Sequence, residues 1–167
     1  MRKLDETTYI KIEKYIANNI EIEIKNTCCS EIDFKYFLSE ESFKSSKNSS
    51  LEELDKSWQE CVFEIIDEKG FDEPEVYKTS NISRQTFSKI RSNKDYQPNK
   101  DTAIQMCFGL KLNLRESQDL LSKAGYTLSK SITRDLIFMY FIEKKIFNIN
   151  KVNDALYDFK LKLLPIN

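Results

Sequence analysis

Apolar residues recur at intervals of three and four positions along most of this sequence, and that helical period constrains the fold more than any other feature. Three Gly and three Pro among 167 residues are too few for the many tight turns of an all-β protein. Cap residues also precede several apolar runs, and Asn113 is followed three positions later by Glu116, as in a capping box. The sequence therefore predicts an all-α fold.

Polar and turn-forming residues separate the predicted helices. Gly70 is placed to end one helix, Asp72 and Asn99 to begin two others, and Asn150 to cap the last. The continuation EIEIK at 21–25 fits either a short strand or a frayed helix end. Helices are expected at about residues 7–20, 51–69, 73–80, 83–91, 99–110, 113–124, 131–145 and 150–158.

The chain divides into three predicted parts. Residues 1–50 combine an N-terminal helix with a polar linker that is rich in serine at 39–50. Residues 51–125 hold the main helical domain. Residues 126–167 add two helices, which we interpret as an extension for packing or dimerisation.

The run LIFMYFI at 136–142 is apolar on every side of its helix. We expect one face to cover the helix of residues 114–124 and another to stay available for a second copy or a partner. This surplus of apolar surface predicts a homodimer through the C-terminal helices. Two alternatives stay open: the terminal helices enlarge the core of one monomer, or an N-terminal stripe forms the interface, namely Tyr9, Ile12, Ile16 and Ile20.

Missing residue types exclude several classes of function. The chain has no His, which excludes Ser-His-Asp and Cys-His catalytic arrangements and most zinc sites. It also has no Gly-rich phosphate loop. Cys61 and Cys107 stand alone and are expected in the core. We therefore expect neither an enzyme nor a metal site, and no cofactor.

The N-terminal sequence and the hydropathy pattern indicate where in the cell the protein is expected. No apolar run approaches the roughly 18 residues that a membrane-spanning helix needs. Charges are spread through MRKLDETTYIKIEKY, which leaves no apolar signal region. We expect a cytoplasmic protein without membrane contact.

Charge is distributed unevenly. Residues 1–77 hold 10 basic and 19 acidic residues, whereas residues 78–100 hold six basic residues and one acid. The whole chain has a net charge of -1. A basic island in an otherwise acidic protein indicates a local surface for an anionic partner.

The basic island contains a pair of short predicted helices with a tight turn at Asn81. Asn tolerates the left-handed backbone that such a turn requires. A helical wheel for 83–91 places Phe87 and Ile90 inward, facing Val76 of the preceding helix. The outward side carries hydrogen-bonding residues and no acid: Arg84, Gln85, Thr86, Ser88 and Lys89. This pattern is typical of a helix that reads base edges in a DNA major groove.

The remaining candidate residues lie at or beyond the end of that helix. Arg91, Lys94 and Lys100 are expected to contact phosphates rather than bases. Asn99 is expected to cap the next helix and to contact a phosphate as well.

Residues 51–125 resemble the five-helix λ-repressor-like (Cro and XRE-type) helix-turn-helix domain. The resemblance rests on the helix pair 73–91, on Pro98–Asn99 and on the run TAIQMCFGLKLNLRESQDLLSKAG. The chain is also similar to small stand-alone bacterial proteins that read VYKxxNIxRxxFSKIRSxKxYxPxKxTA and have a helical C-terminal extension. The resemblance implies base contacts at Ser83, Arg84, Gln85, Thr86 and Lys89, and phosphate contacts near Asn99.

Three departures from the family pattern stand out. Tyr77 occupies a position that is usually small, Asn81 replaces a glycine, and the glycine that often follows the second helix is missing at Ser92–Asn93. The first of these predicts either a wider gap between the two helices or a different packing between them.

Two functional hypotheses follow. The first is a sequence-specific double-stranded DNA-binding protein that regulates transcription. The second is a protein-binding inhibitor, such as an antitoxin or a phage-defence or anti-defence module, with the acidic N-terminal segment as the contact for a protein partner. Salt-sensitive binding through the basic residues of 84–100 is the observation that separates the first hypothesis from the second.

Overall fold

A computed structural model of the chain describes residues 5–26 and 56–166, and every regular element within these ranges is an α-helix. The prediction of an all-α fold is confirmed for that part of the chain. Leu51, Leu54 and the serine-rich linker lie outside the described residues. The helices are α1 (Glu6–Asn26), α2 (Trp58–Lys69), α3 (Glu73–Thr79), α4 (Arg84–Ser92), α5 (Lys100–Gly109), α6 (Leu114–Lys123), α7 (Thr133–Glu143) and α8 (Ile149–Asp158).

Local capping sets most helix ends where the sequence predicts them. Gly70 ends α2 with a left-handed backbone, φ 64°. The side chain of Asn99 accepts a hydrogen bond from the Thr102 N–H at 2.8 Å and so caps α5. Asn113 and Glu116 form the predicted capping box at the start of α6.

The structure decides between the two alternatives for EIEIK: the segment is helical, since α1 continues to Asn26. One local expectation needs correction. The cap of α8 is Asn148 and not Asn150, because Asn148 has the extended backbone of a cap residue and accepts from the Lys151 N–H at 3.2 Å. Asn150 already lies in the first helical turn.

A glycine lets α3 and α5 approach each other closely. A Cβ atom added at Gly109 would lie 2.7 Å from the Ser80 Cβ and 2.9 Å from the Val76 carbonyl oxygen. Any side chain there would push the end of α3 away from α5. Gly109 therefore fixes the position of α3, and with it the turn that leads into α4.

The C-terminal helices do not leave the apolar surface that the sequence suggests. Every residue of the run 136–142 is at most 4% exposed, and α7 packs against α1, α6 and α8 of the same chain. The face expected to be free is covered by α1, on which Ile12 is fully buried. The Tyr15 ring meets the Tyr140 ring edge-on at 5.4 Å, and the Tyr9 ring stacks on Phe159 at 4.8 Å.

This packing removes the basis of the predicted homodimer through the C-terminal helices. The N-terminal stripe cannot serve as the alternative interface either, since Ile12 and Ile16 are buried against the chain itself. Only Ile20 of that stripe is exposed, at 40%. A second copy would need another surface.

No helix within residues 5–26 and 56–166 is both long enough and apolar enough to cross a bilayer.

Candidate nucleic-acid interface

The turn between α3 and α4 has the backbone that the sequence predicts. Asn81 adopts φ 54°, in the left-handed region. The Ile82 N–H donates to the Tyr77 carbonyl at 3.0 Å, and the buried Ser80 hydroxyl donates to the Val76 carbonyl. These bonds satisfy the end of α3 and fix where α4 begins.

The inner side of α4 is anchored in the core. Phe87 is 4% exposed and Ile90 is fully buried. The Phe87 ring lies between two others, with centroids 5.9 Å from Phe63 and 5.8 Å from Tyr77. Tyr77 therefore packs on Phe87 rather than holding α3 and α4 apart. Gln59 of α2 adds a hydrogen bond to the Arg91 carbonyl at 3.3 Å.

Two of the residues predicted to contact bases, Ser83 and Thr86, form hydrogen bonds with each other instead. The Ser83 hydroxyl accepts from the Thr86 N–H at 3.1 Å and caps α4. The hydroxyls of Ser83 and Thr86 are also hydrogen-bonded to each other, at 2.9 Å, and both residues are half-buried. Their main contribution is to fix the first turn of α4.

The outer side of α4 presents four other predicted DNA contacts together. Within the described part of the chain, none of these side chains has a hydrogen-bond or ion-pair partner, and all four are exposed: Arg84, Gln85, Ser88 and Lys89. The first turn of α4 contains no acid, unlike those of α2, α3, α5, α6 and α7. This side of α4 is polar, cationic and free to bind.

The six cations of the basic island fall into two groups, those with an ion pair and those without one in the described part of the chain. Arg91 forms an ion pair with Glu73 of α3, and Lys100 forms one with Asp135 of α7 at 2.6 Å. The other cations of the basic island, Lys78, Arg84, Lys89 and Lys94, have no ion pair among the residues that the structure describes. Lys94 lies close enough to Glu60 to lower the pKa of that carboxyl group, a minor contribution beside the Ser57 N–H that the carboxylate accepts.

The start of α5 is fastened to the C-terminal helices. The Asp135 side chain is 2% exposed and accepts a second hydrogen bond from the Ser129 N–H at 2.9 Å. Beside Lys100, Asp101 pairs with Arg134 at 2.7 Å and with Lys162 at 3.3 Å. Burial alone would raise the pKa of Asp101, but these two cations outweigh burial and lower it.

The two cysteines among the described residues are not activated thiols. Cys107 is completely buried, which raises its pKa to about 12. Cys61 is half-buried, and burial raises its pKa as well. The expectation of a core position is confirmed for Cys107 and is partly correct for Cys61.

The sequence predicted the outer side of α4, but it did not predict the nearby ion pairs or the close approach of α3 and α5 at Gly109. The acids Glu73 and Asp135 were not predicted to pair with the basic island, since neither lies at helical spacing from its partner. Gly109 was overlooked too, because its only signal is a glycine inside a predicted helix. No family model, curated protein or solved structure matches this chain.

Proposed function

We propose that this chain is a sequence-specific double-stranded DNA-binding protein that regulates transcription. In this proposal α2–α6 act as a λ-repressor-like helix-turn-helix domain, and α4 enters the major groove. The observation that carries the proposal is the outer side of α4, where four exposed polar or cationic side chains lie together without an acid and without a partner inside the described chain.

The dimensions of α4 suit a groove. Nine residues give a helix about 14 Å long. An α-helix with its side chains is about 10–12 Å across, and a B-DNA major groove about 12 Å wide admits it. Phe87 and Ile90 hold the opposite side in the core, so that the outer side chains project from a rigid support. Rigid support reduces the ordering cost of binding.

The side chains also match base edges in chemistry. The Gln85 amide can donate to and accept from adenine, and Lys89 or Arg84 can donate to the two acceptors of guanine. Arg84 stands at the first position of α4, where a cation interacts unfavourably with the helix dipole. A residue that costs helix stability and gains no partner inside the protein is best explained by an external anion.

Gln85 provides the test of sequence reading. A preferred site is first selected from a library of genomic fragments. Gln85→Ala is then expected to lose about 1–3 kcal/mol of discrimination at one base pair, because the bidentate contact is lost. Competition titrations with single-base variants of the site measure that loss.

The matched control is Gln118→Ala on α6, which should leave the base preference unchanged. If Gln85→Ala and Gln118→Ala both discriminate as the wild type does at every position, Gln85 does not read the site.

Lys94 provides the test of phosphate contact. Lys94→Ala is expected to weaken binding to all duplexes equally and to make the dependence of log Kobs on log salt shallower by about 0.9, the value for one phosphate. Fluorescence anisotropy between 50 and 200 mM salt measures both effects. Lys151→Ala, which removes an exposed lysine of α8, is the control with the same change of charge.

The same titration can overturn the proposal as a whole. Absence of salt-dependent binding by the wild type to any genomic duplex would contradict DNA binding and would favour the protein-binding hypothesis.

A further inference from the structure

We infer that Glu73 and Asp135 are internal competitors of the DNA backbone, and that they limit how tightly the chain binds DNA of any sequence. The inference rests on the proposed function. It concerns two acids that neutralise two of the six cations of the basic island, Arg91 and Lys100.

The first competitor acts at the end of α4. Arg91 lies in the last turn of α4, and its guanidinium pairs with the Glu73 carboxylate in the first turn of α3. The Arg91 side chain is 58% exposed, so a phosphate can reach it from solvent. Glu73 pairs with the Nη2 atom of this guanidinium, so a phosphate must displace Glu73 to use those donors and otherwise meets a cation whose charge is already partly neutralised.

The second competitor acts at the start of α5. The Lys100 side chain is 28% exposed, whereas its partner Asp135 is 2% exposed and accepts the Ser129 N–H as well. Withdrawing Lys100 would leave a buried carboxylate without its cation, which is strongly unfavourable. Lys100 is therefore committed to Asp135, although the sequence places it among the phosphate contacts.

These ion pairs divide the six cations of the basic island into two groups. Four cations form no ion pair with the residues that the structure describes and can contact DNA without breaking one: Lys78, Arg84, Lys89 and Lys94. The two paired cations add to affinity only after an internal contact is broken. Because non-specific affinity comes almost entirely from neutralised phosphates, each internal pair lowers it.

Glu73→Gln gives the decisive experiment. The Glu73–Arg91 pair is partly exposed, 58% at Arg91 and 29% at Glu73, and such a pair contributes little to folding, so the variant should fold as the wild type does. With a 20-base-pair duplex of unselected sequence, we expect the dependence of log Kobs on log salt to become steeper by about 0.9. Affinity should rise at 50 mM salt, and the variant should lose about 3.5-fold more affinity than the wild type between 50 and 200 mM.

The control variant is Glu75→Gln. Glu75 lies on the same helix and carries the same charge, but it pairs with Lys111 of the α5–α6 connection at 2.9 Å. The two variants change net charge equally, so a difference between them reflects which cation is freed, Arg91 in one and Lys111 in the other. Adding Arg91→Gln to Glu73→Gln should return the salt dependence to the wild-type value.

Asp135→Asn supplies a second, independent variant, which keeps the shape of the buried side chain while freeing Lys100. It should also steepen the salt dependence by about 0.9, and an unchanged slope would contradict the part of Asp135 in the inference. A purely structural role of Asp135 would instead weaken binding at every salt concentration without a steeper slope, and that result would overturn its part in the inference.

The outcomes separate the two claims. If the wild type binds duplexes but Glu73→Gln and Glu75→Gln have the same salt dependence, the internal-competitor inference fails and DNA binding stands. If the wild type binds no duplex, both claims fail.

Discussion

Phe87→Ala is expected to lower the free energy of unfolding by about 3–5 kcal/mol, the range for removing a buried aromatic ring. Phe87 is 4% exposed and its ring lies against Phe63 of α2 and Tyr77 of α3. Its loss would open a cavity where three helices meet, and α4 would lose one of its two anchors. Urea unfolding followed by circular dichroism measures the change.

Tyr157→Ala is the matched control, because it removes an aromatic ring that is 60% exposed. It should change stability by no more than about 0.5 kcal/mol. The stability of a domain is typically about 5–15 kcal/mol, so Phe87→Ala can remove a large fraction of it. A Phe87→Ala variant with the stability of the wild type would contradict the orientation of α4 described here.

Ile12→Ala is the second substitution with a large expected effect, and it should lower the free energy of unfolding by about 2–5 kcal/mol. Ile12 is fully buried at the place where α1 packs on α7. Truncating it would leave a cavity above α7, the most apolar of the described helices. The measurement is again urea unfolding, with hydrogen exchange of the α7 amides as a local readout.

Ile10→Ala on the same helix is the control, since Ile10 is 43% exposed and should be nearly neutral. Equal stability of the Ile10 and Ile12 variants would mean that α1 does not cover α7 in solution. The apolar face of α7 would then again be available to a second copy, which sedimentation at several protein concentrations would detect.

The packing of α1 on α7 changes the result expected when residues 1–50 are removed. From the sequence, residues 1–50 look dispensable, since a polar linker separates the first helix from the main domain. In the structure, Ile12 and Ile16 belong to the same hydrophobic core as α7 and α8. Removing α1 would therefore expose apolar surface on α7.

The sequence by itself determined the local features of this protein. Gly70 ends α2, Asn99 caps α5, Asn113 and Glu116 form a capping box, and Asn81 makes the turn before α4. Each depends on contacts within a few residues along the chain, so residue type and spacing suffice to predict it. The exposed side of α4 follows in the same way, because helical period alone separates Phe87 and Ile90 from the outward residues.

Only the tertiary structure decided which surfaces cover each other. Periodicity shows that α7 is apolar on all sides, but it cannot show that α1 rather than a second copy packs there, because both would bury the same kind of surface. The ion pairs Glu73–Arg91 and Lys100–Asp135, and the contact of Gly109 with Ser80, likewise join residues that are distant in sequence. Such contacts depend on how the helices are arranged in space, and residue spacing carries no record of that arrangement.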